Sequence, residues 1–319
     1  MAKITETQKI LAAFKKPDHS DWLIHWTGYD IDHDYDRDWW RPRKNTVLNS
    51  SIVQPYLERL KWTLRYGLWM LPDTDPIRLV NDNTGRLQSY KRPLVWRTCF
   101  TELKLSEAQT HALRFGRLGI GFKRMFVFDR LGLPMTYYRP EKMNWPFLCS
   151  TPKSRKFTEF WACYLKSMAE KNRGKSYRHY EQFEESEWRI IYSPEIEKKL
   201  ASNDKTKGLN RYFLKLSEIT DVSYHKYVNK QKKQPGYLIP LSEKDIDPNG
   251  NHMCQWLAII IYPSLAVKVA AEANIEIRWE IEQKKPTSKL DNLSSSLSSS
   301  QYECYSKPIE IDLSACNQI

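Results

Sequence analysis

The fold is decided by Val95–Phe122, which has the sequence VWRTCFTELKLSEAQTHALRFGRLGIGF. The opening run VWRTCF is apolar, β-branched and aromatic, and this composition predicts a buried strand. Ser106 with Gln109 three residues later has the pattern of a capping box, which predicts the start of a helix that Gly116 ends. A second apolar run, Leu118–Phe122, predicts the next strand. The stretch is therefore expected to fold as strand, helix and strand with short connections.

Two glycines interrupt the second of these strands. Gly119 and Gly121 lack side chains in an otherwise apolar run, which indicates that another group comes close to the backbone there. A bound ligand and a neighbouring strand would both account for this spacing, and the sequence leaves the two open.

Helices and strands alternate irregularly along the rest of the chain. The hydrophobic periodicity predicts further helices at Thr5–Phe14, from Ser51 with Gln54 to Gly67, and at Lys123–Leu131, Phe157–Glu170 and Leu265–Ala273. It predicts further strands at Trp22–Thr27, Leu68–Leu71, Met135–Tyr138, Glu187–Tyr192, Arg211–Leu216, Gly236–Pro240, Trp256–Tyr262 and Glu276–Glu282. The stretch His225–Gln234, HKYVNKQKKQ, is expected to be a basic surface loop. This order predicts an α+β fold with a mixed, bent sheet and flanking helices, because a doubly wound sheet would need a regular strand and helix rhythm.

Three segments make up the predicted domain organisation. Residues 1–283 are expected to form a single α+β domain, followed by a Ser-rich flexible linker at 284–301 and a C-terminal tail at 302–319. Within the tail, PIEIDLS alternates apolar and polar residues, which predicts a strand that adds to a sheet edge.

The amino-acid composition indicates which kind of partner and which cellular compartment to expect. The 50 Lys and Arg residues against 38 Asp and Glu give a net charge of +12, which suits an anionic partner such as nucleic acid or a phosphate-bearing cofactor. The six cysteines form no CxxC pair and no basic-then-apolar leader opens the chain, so we expect a cytoplasmic protein with reduced thiols and no structural zinc. The longest apolar run, Trp256–Tyr262, is far short of the roughly 20 residues that span a bilayer.

The acidic run DIDHDYDRD, which begins at Asp30, resembles a calcium loop only in its alternation. Counted from Asp30 or Asp32, the sixth position lacks the glycine and the twelfth lacks the glutamate that such a loop needs. A solvated acidic loop is the better interpretation.

The site candidates lie on three of the predicted strands. His25 and Thr27 lie on the first, the glycine-spaced run ends at Phe122, and Glu187 opens a later strand. Each has a structural alternative. His25 can be a half-buried imidazole bonded to a backbone carbonyl, and Glu187 with Arg189 can be a surface ion pair at a strand start.

The sequence resembles the AbiGi proteins of abortive-infection phage resistance. The resemblance rests on CFTELKLSEAQTHALRFGRLGIGF, the following GLPMTYY, and EWRIIY, and it is most specific from His111 to Gly121. More distantly, the order of a first-strand histidine, a middle-strand aromatic and a later-strand glutamate is similar to that of the ADP-ribosyltransferase fold, which binds NAD.

The second resemblance implies roles for the site candidates. His25 and Thr27 would hydrogen-bond a ribose hydroxyl, and backbone groups near Gly28 would face the nicotinamide amide. Tyr66 or Phe122 would stack on the nicotinamide ring.

The catalytic and charge roles follow from the same resemblance. Glu187 would accept from the ribose 2′-hydroxyl and stabilise the positive charge that develops as the glycosidic bond breaks. Arg41 and Arg43, with Lys44, would hold the pyrophosphate, and a protein or nucleic acid could be the acceptor.

Two functions from different classes follow. The first is an NAD-using ADP-ribosyltransferase or NAD glycohydrolase that acts as an anti-phage effector. The second is a non-enzymatic antitoxin or regulator that binds a toxin partner or nucleic acid in a two-gene abortive-infection system. The structure can discriminate between them, because the enzyme requires His25 and Glu187 to face one cleft. If they project from opposite faces of the sheet, the enzyme hypothesis loses its basis.

Overall fold

The computed structural model describes residues 22–32, 52–73, 75–80, 86–102, 105–128, 130–138, 160–167, 186–196, 198, 212–231, 233–241, 256–282 and 307–318. Several sequence-based predictions fall outside these residues. They concern the helix Thr5–Phe14, the acidic run beyond Asp32, Arg41, Arg43, Lys44, the cap residue Ser51 and the Ser-rich segment 284–301.

The described residues form an α+β fold with a mixed sheet and flanking helices. The helices are α1 (Tyr29–Asp32), α2 (Val53–Tyr66), α3 (Ala108–Phe115), α4 (Arg124–Phe128), α5 (Val222–Lys230), α6 (Leu265–Ala273) and α7 (Ile275–Glu282). The strands are β1 (Trp22–Thr27), β2 (Leu68–Pro72), β3 (Ile77–Val80), β4 (Leu87–Tyr90), β5 (Trp96–Thr101), β6 (Leu118–Lys123), β7 (Leu133–Pro134), β8 (Thr136–Tyr138), β9 (Leu165–Ser167), β10 (Glu187–Tyr192), β11 (Leu214–Lys215), β12 (Tyr237–Ile239), β13 (Leu257–Tyr262) and β14 (Ile309–Asp312).

The main sheet has ten strands and branches at β5. Its path runs β11-β12-β2-β5-β1-β6-β13-β14, and β10, which also pairs with β7, pairs with β5 along the whole length of that strand. On the other edge of β5, β2 pairs at Arg97 and Trp96 whereas β1 pairs at Thr101. β1 and β2 therefore pair with opposite ends of the same edge of β5, and the sheet forks there.

The two glycines of β6 allow close packing against neighbouring strands. A Cβ at Gly121 would lie 2.3 Å from Ile259 Cγ2, and one at Gly119 would lie 2.9 Å from Trp26 Cζ3. Side chains on β1 and β13 thus occupy the space beside the glycines. Of the two explanations that the sequence left open, the neighbouring strands account for this spacing.

Apolar side chains cover both faces of the sheet. One face carries Leu23, Phe100 and Ile120, which pack in the main core against α2, α6 and α7. The opposite face carries Ile24 and Trp26, which pack with residues of α3 in a second core. Because consecutive residues of a strand point to opposite faces, neighbours such as Leu23 and Ile24 belong to different cores.

The predictions for the helix α6 and for the C-terminal strand are confirmed. α6 begins and ends as expected, with Ser264 Oγ accepting from the Val267 amide and Asn274 at the C-cap. The tail adds a strand to the sheet edge, since β14 pairs in parallel with β13.

The predicted strand Glu276–Glu282 is wrong, because this segment is the helix α7. Its apolar residues alternate in sequence, but Ile277 and Ile281 are one helical turn apart and both are buried. The Asn274 side chain accepts from the Ile277 amide at 3.1 Å and so caps the helix.

The predicted basic loop His225–Gln234 is also wrong over its first half, which lies in α5. Asp221 precedes the stretch and its carboxylate accepts from the Ser223 and Tyr224 amides, which starts the helix. Tyr224, Tyr227 and Val228 then supply the buried face.

Two predictions about helices failed for other reasons. Phe157–Glu170 is not a long helix within the described residues, because Phe160–Tyr164 is a 3₁₀ turn and β9 follows it in parallel pairing with β8. Ser106 does not cap α3, since it lies inside the 3₁₀ turn Leu105–Glu107 and α3 has no side-chain cap. In the described parts of the chain, no helix is long and apolar enough to cross a membrane.

Candidate functional site

His25 lies where the sheet forks. Its Nδ1 is 2.9 Å from the backbone carbonyl of Cys99 on β5, and its ring meets Phe100 edge-on at 5.9 Å. Burial, together with the smaller effect of the nearby Arg59 charge, lowers the pKa of His25 to about 4, although the bond to the Cys99 carbonyl opposes this shift. The neutral imidazole therefore donates from Nδ1 to the Cys99 carbonyl, on the part of β5 between the residue that pairs with β1 and those that pair with β2.

Thr27 and Gly28 lie beside a buried arginine. The Arg59 guanidinium donates to Thr27 Oγ1 at 2.8 Å and to Asp30 at 2.6 Å, and it lies 5.2 Å from the Trp69 ring centroid. Gly28 has φ of +95°, and Tyr56 donates to its carbonyl at 3.3 Å. The hydroxyl of Thr27 is thus engaged by this chain's own arginine.

The two aromatic candidates lie in different surroundings. Tyr66 stacks with Trp62 at 5.8 Å and donates its hydroxyl to Asp221 at 2.7 Å, and burial with that bond raises its pKa to about 12. Phe122 is fully buried and stacks on Phe126 at 4.1 Å. A nicotinamide ring could stack on Phe122 only by displacing core side chains.

Glu187 is buried at the start of β10. One carboxylate oxygen accepts from Arg189 Nε at 2.6 Å, and the other accepts from Lys166 Nζ at 2.6 Å. Burial opposes ionisation, but the Arg189 and Lys166 charges outweigh it and hold the pKa of Glu187 well below its ordinary value. The carboxylate is therefore ionised, and both of its oxygens are bonded.

The Glu187 ion pair belongs to a larger charge cluster. Asp73, which is fully buried, accepts from Arg97 at 2.7 Å, from Arg92 at 3.2 Å and from Arg189 at 3.3 Å. A second bond from Arg97 reaches Asp75 at 3.0 Å. These contacts link the loop after β2 with β5 and β10, so the cluster joins three parts of the fold.

Cys99 lies next to this carboxylate. Burial and the Glu187 charge raise the pKa of the Cys99 thiol to about 12. The thiol is protonated at neutral pH and has little nucleophilic character. Within the described residues, no group of three or more His, Cys, Asp or Glu side chains could hold a metal ion.

The strand register separates the two principal candidates. Glu187 pairs with Thr101, and Thr101 pairs with Ile24. Directly paired residues on neighbouring strands project to the same face, so Glu187 shares a face with Ile24. His25, which follows Ile24 in β1, projects from the opposite face. The structure does not bring His25 and Glu187 together around a common ribose.

Two functional-looking residues, Arg59 and Asp73, escaped the sequence analysis. Arg59 is part of an amphipathic helix, where a single arginine on the apolar face gives no distinctive pattern. Asp73 follows a strand in a loop. The spacing of Glu187 and Arg189 did contain a signal, because residues two apart in a strand share a face, but burial of the pair depends on residues distant in sequence.

Comparison with known proteins adds no relative. The chain matches no family model, no curated protein and no solved structure.

Proposed function

We propose that this protein acts by binding a protein partner, as the antitoxin or regulatory component of a two-gene abortive-infection system of the AbiGi type. In this proposal the sheet is a scaffold, and the residues that resemble a cofactor site stabilise it. The family assignment rests on the motifs CFTELKLSEAQTHALRFGRLGIGF and EWRIIY.

The observation that carries the proposal is the placement of His25 and Glu187 on opposite faces of the sheet. An NAD-cleaving site needs a carboxylate near the anomeric carbon and a group that holds the same ribose. Glu187 is instead bonded to Arg189 and Lys166, and His25 is bonded to a backbone carbonyl. Both side chains have structural roles that account for their presence.

A further observation favours a protein over a nucleic acid as the partner. Exposed apolar side chains lie on the outer faces of α6 and α7, including Ile275 at 83% exposure and Trp279 at 57%. Exposed apolar groups of this size are typical of protein interfaces, whereas nucleic acids are bound mainly through cations.

Co-expression with the product of the adjacent gene tests the proposal. The full-length chain is expected to co-elute with that product in size-exclusion chromatography and to restore growth when the product alone is toxic. His25→Gln should keep both properties, since no cofactor contact is lost. Failure of the unmodified chain to co-elute and to restore growth would overturn the proposal.

A further inference from the structure

The C-terminal segment 307–318, here called the strap, lies along one edge of the main sheet. It contains β14 and a 3₁₀ turn at Ala315–Gln318, and residues 283–306 separate it in sequence from α7. Among the described strands, β14 pairs with β13 alone, in parallel and over four residue pairs. The strap is thus attached through one ladder and through its own side chains.

Successive residues of the strap contact opposite sides of the sheet. On one side, the Glu310 carboxylate accepts from the Tyr262 hydroxyl at 2.5 Å and from Arg278 at 2.7 Å. On the other side, Ile311 and Leu313 pack in the second core, where Leu313 is only 8% exposed. The site that holds the strap therefore selects a carboxylate and apolar side chains one and three residues after it.

This site is built from elements that are held in place without the strap. β13 pairs on its other edge with β6, and α6 and α7 pack on the main core. Gln109 on α3 donates to the Leu313 carbonyl at 3.3 Å, so α3 forms one wall of the site. Removal of the strap would uncover the outer edge of β13, Arg278, and the second-core residues Trp26 and Ile261. We call this site the β13 groove.

The contacts of the strap make it separable from the rest of the fold. Parallel pairing is slightly weaker than antiparallel pairing, and the first residue of β14, Ile309, is 48% exposed. In the second core, Trp26 Nε1 is buried and has no acceptor among the described residues, so the closed state leaves one polar group unsatisfied. A short strand at a sheet edge opens at a lower free energy than the central strands do.

We propose that the strap is detachable and that the β13 groove, once uncovered, binds an extended segment of a protein partner. That segment has the chemistry of the strap: a backbone that pairs with β13, a carboxylate that Arg278 and Tyr262 bind, and an apolar residue three positions later. The proposal rests on the proposed function in taking the partner to be a protein, and it specifies the groove and the segment that this partner uses. A nucleic acid does not fit, because it has no backbone amides to form a β-ladder.

A labelled peptide with the sequence of residues 307–319 tests the groove in the full-length chain. Leu313→Asp places a charge at the buried position of the strap and should release it, and circular dichroism checks that this variant folds. Fluorescence anisotropy should show that the peptide binds folded Leu313→Asp. It should bind the unmodified chain roughly 100-fold more weakly, because the attached strap competes at a high effective concentration. No binding to folded Leu313→Asp would overturn the proposal.

Matched substitutions show whether the peptide occupies the β13 groove. In the Leu313→Asp chain, Arg278→Ala should weaken peptide binding roughly 10-fold, because it removes a charged donor to the carboxylate. Lys61→Ala removes the same charge from a cation that pairs with Glu276, also on α7, and should leave the affinity unchanged. Equal affinity of the two variants would place the peptide elsewhere and overturn the proposal.

Hydrogen exchange in the unmodified chain is a second test, and it also decides the outcome if Leu313→Asp does not fold. The Leu313 amide donates to the Tyr262 carbonyl at 2.9 Å and should exchange when the strap opens. Amides of β6, which lies between β1 and β13, should exchange at least about 10-fold more slowly. Equal rates would mean that the strap leaves only when the chain unfolds, and the proposal would be wrong. Neither test contains the product of the adjacent gene, so a negative result here leaves the proposed function standing, whereas failure of co-elution overturns the proposed function whatever the peptide does.

Discussion

Replacement of Glu187 by Gln should destabilise the protein strongly. The substitution removes the charge that Arg189 and Lys166 bind at 2.6 Å each, and it leaves the Arg189 side chain, only 2% exposed, without its nearest anion. Breaking a buried ion pair from one side costs about 3–5 kcal/mol of unfolding free energy. The Gln carbonyl oxygen can still accept one bond, so we expect a value near the lower limit, about 3 kcal/mol.

Urea unfolding followed by circular dichroism measures this loss, and thermal unfolding should show a melting temperature roughly 6–12 °C lower. The matched control is Glu276→Gln, which makes the same chemical change at a 65% exposed pair with Lys61. Exposed pairs contribute about 0–1 kcal/mol. If Glu187→Gln costs no more than Glu276→Gln, Glu187 is not a structural anchor and the assignment of its role is wrong.

The same carboxylate predicts a pH dependence. The folded state holds the pKa of Glu187 well below its ordinary value of 4.5, so its stabilising contribution is complete above pH about 4.5 and is lost as pH falls below that value. The stability difference between the unmodified chain and Glu187→Gln should therefore decrease on acidification below pH about 4.5. A difference that stays constant from pH 7 to pH 3 would contradict the ion-pair explanation.

The remaining predictions concern caps, a glycine and a histidine. Ser264→Ala should cost about 1 kcal/mol in urea unfolding because it removes the cap of α6. Ser106→Ala should cost only about a few tenths of a kcal/mol, because Ser106 does not cap α3. Gly67→Ala should cost more than about 2 kcal/mol, since Gly67 has φ of +111° and its Cβ would lie 2.0 Å from the Ile239 carbonyl oxygen; a smaller loss would show that the turn relaxes. The pKa of His25 is lowered from its ordinary value of 6.5 to about 4 in the folded state, so the free energy of unfolding is unaffected by this group above pH about 6.5 and decreases as pH falls toward 4. His25→Gln should reduce the slope of stability against pH in this range. An unchanged slope would refute the conclusion that His25 is held neutral in the folded state.

Local patterns in the sequence identified most strands and the best-capped helix. Leu265–Ala273 has both a serine cap and a helical apolar period, and these two signals agree with the packing of α6. Glu276–Glu282 alternates in a way that suits a strand and also places Ile277 and Ile281 on one helical face. The Asn274 cap favours the helix, and packing of Ile277 and Ile281 in the main core, which is a property of the folded chain, buries both on one helical face.

The candidate site was harder to predict because its residues depend on register. The order of His25 and Glu187 along the chain is compatible with one shared cleft or with opposite faces of the sheet, since a shift of one residue moves a side chain to the other face. The partners of Glu187 come from β9 and β10, and those of Arg189 include the loop after β2. The pairs of Glu187 with Lys166 and of Arg189 with Asp73 join residues distant in sequence, and they leave no mark in a single sequence.

Nicotinamide release from labelled NAD tests the central claim most directly. Purified full-length chain should release nicotinamide no faster than buffer does, with and without the product of the adjacent gene, because His25 and Glu187 do not share a cleft. Release above the buffer rate that persists in Glu276→Gln and disappears in folded Glu187→Gln would show that Glu187 is catalytic, and it would contradict the account.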